Sequence, residues 1–122
     1  MALRARSEGR RGMGFNEGLG LRVGADGASI ELAPGVAHEA VPGAVHFAVL
    51  ATLAEVAAAH AAATAVVPTH VSVQLLRRAT SAVTLVGRGR VLKAGRTLIF
   101  AEGEVAQAGE LVAKATVTFA RV

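Results

Sequence analysis

Residues 42–62 read PGAVHFAVLATLAEVAAAHAA, and this stretch decides the architecture. From His46 to about Ala62 the composition is Ala, Val and Leu without Gly or Pro, which predicts the one long helix of the chain. That helix is apolar nearly all round, as suits a helix wrapped by other structure rather than lying on a surface. Residues 47–67 are long enough to raise a membrane span. Glu55 and His60 fall inside that stretch, however, and alanine is only weakly apolar, so a buried helix running into a loop is expected.

Working outward, the remainder reads as strands. Leu19–Val23 and Ala28–Ala33 form a short pair joined by Ala25-Asp26-Gly27, a hairpin turn. Pro34–Val45 holds Pro34, Gly35, Pro42 and Gly43 and is expected to be irregular. Residues 69–78 alternate, with Val71, Val73 and Leu75 on one face and His70, Ser72 and Gln74 on the other. Residues 83–93 and 97–107 flank Ala94-Gly95, and 111–121 follow Ala108-Gly109. In that last run Leu111, Ala113, Ala115, Val117 and Phe119 alternate against Lys114, Thr116 and Thr118, the period of a half-buried strand. A meander whose first hairpin pairs residues summing to 190 sets Arg88 opposite Glu102. A second hairpin summing to 216 brings Lys114 beside Glu102, and such cross-strand charges fix register. Two strands, a lone apolar helix and four more strands give an α+β domain. No second helix is present to cover the sheet, so the sheet must curve around the one helix. This is the hotdog arrangement, a central helix wrapped by a five- to six-stranded antiparallel sheet. It leaves sheet edges and part of the helix uncovered, so at least a dimer is expected.

Composition narrows the function. The 122 residues form one domain, with residues 1–13 as a basic tail expected to be a disordered extension and 14–122 as the folded unit. The tail has no apolar core, so it does not read as a secretory signal. The formal charge of +4 comes from Arg4, Arg6, Arg10 and Arg11; without residues 1–12 there remain nine Lys/Arg against eight Asp/Glu. With four Phe, no Trp and no Tyr, stacking platforms for single-stranded nucleic acid are not expected, and neither nucleic acid nor membrane is a predicted partner. The lack of cysteine removes disulfides and thiolate metal sites and fits the cytoplasm. The spacing of His38, His46, His60 and His70 suggests no metal site, and no cofactor is expected. The fourteen glycines include no phosphate-binding fingerprint; Gly87 and Gly89 read as a bend or close approach within a strand.

The run from Pro42 to Glu55 resembles the signature G-x-x-H-G-G-x-x-x-x-L-A-(D/E) of hotdog thioesterases of the PaaI-like group. Gly43, His46, Leu53, Ala54 and Glu55 fall in step with it. Residues 72–79 (SVQLLRRA), 93–98 (KAGRTL) and 111–119 (LVAKATVTF) are similar to later segments of that group, so the resemblance spans about residues 14–121. It implies hydrolysis of an acyl-CoA or related acyl thioester, with Glu55 as nucleophile or general base. The Phe47 backbone N–H, eight residues earlier, would polarise the thioester carbonyl. A helix N-terminus presents unpaired N–H groups and a positive dipole end, which suits a developing oxyanion. Eight helical residues span ~12 Å, so the two groups must meet across a homodimer or homotetramer interface. Two departures from the group stand out. Phe47-Ala48 replaces Gly-Gly, and Ala40 and Ala59 replace polar residues, for which Glu39 or His38 are candidate substitutes. An acyl-CoA-binding module without turnover is therefore the rival reading.

The same residues admit plainer roles. Glu55 could be a solvent-facing break in the helix or a dimer ion pair with Arg77 or Arg78. His46 either caps the helix or shapes the pocket, and His60 reads as structural, near the helix end. Gly43, Ala48, Arg77 and Arg78 are the expected substrate contacts. Arg77 and Arg78 would meet CoA phosphates, or else form a solvated strand end.

Overall fold

The computed structural model describes residues 14–122, and the tail expected over 1–13 lies outside them. Its elements are α1 (Phe15–Leu19), β1 (Arg22–Val23), β2 (Ile30–Leu32), a 3-10 turn (Val36–His38), β3 (Glu39–Val41), β4 (Ala44–Val45), α2 (Phe47–Ala62), β5 (Val66–Leu75), β6 (Leu85–Ala94), β7 (Leu98–Gln107) and β8 (Glu110–Arg121). Six strands form one antiparallel sheet in the order β1-β2-β6-β7-β8-β5, and α2 lies across β6, β7 and β8. No helix among the described residues is long and apolar enough to cross a membrane.

The seating of α2 follows from small residues on both sides. Val49, Leu50, Leu53, Ala54, Ala57 and Ala58 are buried, a stripe at helical spacing. Beneath them Gly89 of β6 pairs with Gly103 of β7. A Cβ on Gly103 would stand 2.0 Å from the Ala54 carbonyl oxygen, and one on Gly89 would stand 2.1 Å from that of Ala57. Helix backbone thus rests on sheet backbone, and the close-approach reading of Gly87 and Gly89 is what the structure has. Phe119, Leu85, Ile99 and Val105 fill the space beside this contact.

Part of the helix is uncovered, as expected: Ala48 is exposed and Ala51, Thr52, Glu55, Val56 and Ala59 are half-buried, because one sheet covers only one face. Several local expectations are corrected. Leu19 closes α1 instead of opening a strand. Pro34–Val45 is not wholly irregular, since β3 and β4 form a small hairpin there. The 69–78 strand runs Val66–Leu75, so Leu76, Arg77 and Arg78 follow it. Val71 and Leu75 are exposed and Val73 only half-buried, because β5 is the sheet edge. Pro68 is tolerated there for the same reason.

The two hairpins are each displaced by two. Arg90, not Arg88, lies opposite Glu102, and Lys114 lies opposite Glu104. The first turn is wider than Ala94-Gly95 implies, pairing Ala94 with Ile99, and the irregularity between Val91 and Lys93 takes back one residue of that offset. In the second hairpin Gln107 pairs with Glu110, and the irregularity between Val105 and Ala106 adds one. A shift of two preserves the face, so Lys114 Nζ still lies 3.6 Å from both Glu102 and Glu104. Arg88 instead meets Asp26 at 2.9 Å. At the second irregularity Val112 is buried and Leu111 half-buried, the reverse of plain alternation.

Candidate active site

His46 caps α2: its Nδ1 accepts the Ala48 N–H at 3.0 Å, and its ring stacks on Phe47 with centroids 4.8 Å apart. The capping role is therefore present, and it occupies the Ala48 N–H. The Phe47 N–H, by contrast, has no hydrogen-bond acceptor among the described residues. It stands at the positive end of a sixteen-residue helix. Gly43 forms the left-handed corner (φ +83°) of the β3–β4 hairpin that delivers the chain to this point.

A groove of about 330 Å³ opens beside the helix start. Val45, Leu50, Leu75 and Leu76 give it an apolar lining, and Phe47, Arg77 and Arg78 also line it. Phe47 is 60% exposed. The two arginines make no ion pair among the described residues. Three of the residues singled out by sequence, Phe47, Arg77 and Arg78, thus share one concavity.

Glu55 sits elsewhere, two turns along the same helix. It is half-buried and has neither an ion-pair nor a hydrogen-bond partner among the described residues. Burial alone raises its pKa above the ordinary 4.5. No ion pair within the chain ties it to Arg77 or Arg78. A second groove of about 340 Å³ lies against the same part of the helix, lined by Leu21, Val23, Ile30, Val56 and Ala59. Ala59 is one helical repeat from Glu55 and so on its side of α2. Asn16, Arg22 and His60 also line this groove; Arg22 pairs with Glu31 at 2.9 Å and His60 Nε2 reaches the Gly27 carbonyl at 2.8 Å. Sequence reading missed this groove because half of its lining residues fall in 16–23, where α1 and β1 are too short to leave a periodic pattern.

The suggested substitutes for the missing polar groups are occupied elsewhere. Glu39 Oε2 accepts from the Gly43 N–H at 3.0 Å and from the Ser81 hydroxyl. His38 accepts the Gly35 N–H at Nδ1, and its Nε2 lies 2.7 Å from the Leu19 carbonyl. Arg90, Glu102 and Lys114 form an ion-paired cluster on the strands, where Arg90 holds the Glu102 carboxyl below its ordinary range.

A single long helix seated on a six-stranded antiparallel sheet is hotdog architecture. The sequence profile of the thioesterase superfamily matches residues 42–114, more than half of the chain, and the protein belongs to that superfamily. Solved structures agree. The chain is 25% identical to a conserved protein of Pseudomonas aeruginosa, covering 90% of this chain and 94% of that one with a TM-score of 0.80. It is 25% identical to an asparagine-to-aspartate variant of the phenylacetic acid degradation protein PaaI from Thermus thermophilus, covering 88% and 98% with a TM-score of 0.80. A phenylacetic acid degradation-related protein from Ralstonia eutropha is similar at 25% identity, covering 96% and 97% with a TM-score of 0.74. The PaaI-like resemblance read from Pro42–Glu55 therefore stands. No curated protein matches the chain in sequence.

Proposed function

We propose that the protein hydrolyses an acyl-CoA-type thioester at a site shared by two subunits. Glu55 of one subunit acts as general base or nucleophile, and the Phe47 N–H of the other receives the carbonyl oxygen. The observation that carries the reading is the pair of unpartnered groups on α2. One is a half-buried carboxylate whose proton affinity is raised, and the other is a free N–H at the helix start. In the hydrolysis a water oxygen, or first the Glu55 carboxylate, bonds to the acyl carbon. The C–S bond breaks, and the departing thiolate takes up a proton. The chemistry calls for no cofactor.

The two grooves divide the substrate. Arg77 and Arg78 meet the phosphates of the CoA arm, with Gly43 and Ala48 near its thioester end, and His46 holds the helix start in place. The acyl group lies in the apolar groove along the Val56 and Ala59 side of α2. A homodimer is the smallest unit that joins them. Support comes from β5, a ten-residue edge with Val67, Val71 and Leu75 exposed. Antiparallel pairing with a second β5 carries the groove at the Leu75 end toward the partner's Val66 end, where α2 terminates. Such a homodimer, alone or within a homotetramer, acts in the cytoplasm on a small molecule, without nucleic acid or membrane.

The test is release of free CoA from short, medium, long and aryl acyl-CoAs. Turnover in the wild type that collapses in Glu55→Ala, at unchanged oligomeric state and melting temperature, is the expected result. Acyl-CoA bound without turnover would contradict it. That outcome would favour the rival binding module, for which Ala40 and Ala59 in place of polar groups are the supporting feature.

A further inference from the structure

The Arg77–Arg78 segment has no regular structure of its own, yet it is fastened at several points. Immediately after it, the Val45 N–H donates to the Ala79 carbonyl at 2.9 Å and the Ser81 N–H to the Gly43 carbonyl at 3.1 Å, with a bridge between Ala44 and Thr80. Residues 79–81 thus lie antiparallel beside the β3–β4 hairpin, joined to it by one isolated bridge. From the other side comes Gln107, only 7% exposed, at the end of β7. Its Oε1 accepts the Thr80 N–H at 3.0 Å, and its Nε2 donates to the carbonyls of Thr80 at 2.6 Å and Val83 at 2.8 Å. Both amide hydrogens are used, so one buried side chain supplies the pairing a neighbouring strand would give.

A last tie closes the loop onto the hairpin. The Ser81 hydroxyl and the Gly43 N–H both donate to Glu39 Oε2. β4 is only two residues long and makes few ladder bonds, so a charge-assisted side-chain clamp has unusual leverage there. The hairpin leads through His46 directly into the Phe47 N–H, and the His46 N–H is itself held by the His38 carbonyl at 2.8 Å.

We infer that Glu39, Ser81 and Gln107 are positioning residues that hold Arg77 and Arg78 at a fixed offset from the Phe47 N–H, setting the spacing between the phosphate and thioester ends of the substrate. The inference rests on the thioester-hydrolysing reading for the roles of those two ends. Glu39 therefore acts through the arginine loop and does not stand in for the polar group absent at position 40.

The test compares an acyl-CoA with the matching acyl-pantetheine, which carries the thioester but no phosphate. Ser81→Ala, which loses one charge-assisted hydrogen bond, should raise the KM for acyl-CoA by ~tenfold, and Glu39→Ala, which loses two, by at least as much. They should raise the KM for acyl-pantetheine far less. Glu39→Gln, which keeps an acceptor oxygen in place, should restore most of the difference. Equal effects on both substrates, or no effect in variants that keep the wild-type oligomeric state, would overturn the inference. Calorimetric binding of CoA itself separates this from the functional reading. If the wild type hydrolyses nothing, CoA affinity weakened ~tenfold or more in Glu39→Ala still supports the clamp, whereas unchanged affinity overturns it.

Discussion

At position 55 an ionisable group lies half-buried on a helix of Ala, Val and Leu without a partner among the described residues. Burial favours its neutral form, so the folded state holds the proton to higher pH than the unfolded chain does. Ionising Glu55 is therefore a cost to stability that sets in as pH rises past the unfolded pKa and is complete above the folded one. Two outcomes follow. As a base or nucleophile Glu55 must be ionised, so kcat/KM should rise with pH through an apparent pKa above 4.5. Glu55→Gln should lose roughly 10²-fold or more in kcat while melting no lower than the wild type at pH 7, read by activity and thermal unfolding side by side. A partner residue can be tested as cleanly. Proline is accepted at the first position of a helix, and His46 already has the extended conformation (φ −66°, ψ 140°) that proline requires before it. Phe47→Pro should then remove the proposed oxyanion donor with little loss of helix, lowering kcat by about 10²–10³. Phe47→Ala retains the N–H and should stay within about tenfold of the wild type. Glu55 was legible because it is the only acid between Glu39 and Glu102 and falls in step with a motif. Gln107 was not, since its partners Thr80 and Val83 are more than twenty residues away in sequence.

Among the elements, α2 and its seat set the geometry. The helix was readable from an unbroken run of Ala, Val and Leu, and β8 from its alternation. The register of the hairpins was misread by two because neither the reach of a turn nor a bulge leaves a compositional mark, while side-chain parity survived because the pleat has period two. The β3–β4 hairpin escaped notice because Pro42 and Gly43 are loop formers, and its stability comes from Glu39, Ser81 and residues 79–81. The helix–sheet contact yields a prediction at this scale. Gly103→Ala places a methyl 2.0 Å from the Ala54 carbonyl oxygen, backbone against backbone, where no side chain can swing aside. Denaturant unfolding should show a loss of about 1–3 kcal/mol or more. Gly27, whose added Cβ meets nothing within 4 Å but whose φ is +74°, should tolerate asparagine far better.

For the whole molecule, the separation of Glu55 from Phe47 along one rigid helix is the governing fact. Eight residues at about 1.5 Å each hold the two groups ~12 Å apart, too far for one carbonyl carbon and its oxygen. Under the proposed function a twofold dimer resolves this, with two equivalent sites that each take Glu55 from one subunit and Phe47 from the other. The expectation of a second subunit came from the sequence, as a lone helix under an open sheet, whereas the edge strand β5 on which the proposed pairing rests is known only from the sheet order. The most direct measurement mixes two inactive proteins. Unfolding and refolding Glu55→Ala together with Phe47→Pro should give heterodimers with one intact site and one doubly impaired site. Recovered CoA release should approach about a quarter of the wild-type rate for random pairing. No recovery above either parent, with heterodimers demonstrated by mass, would contradict a site shared between subunits and, with it, catalysis by Glu55 and the Phe47 N–H acting together.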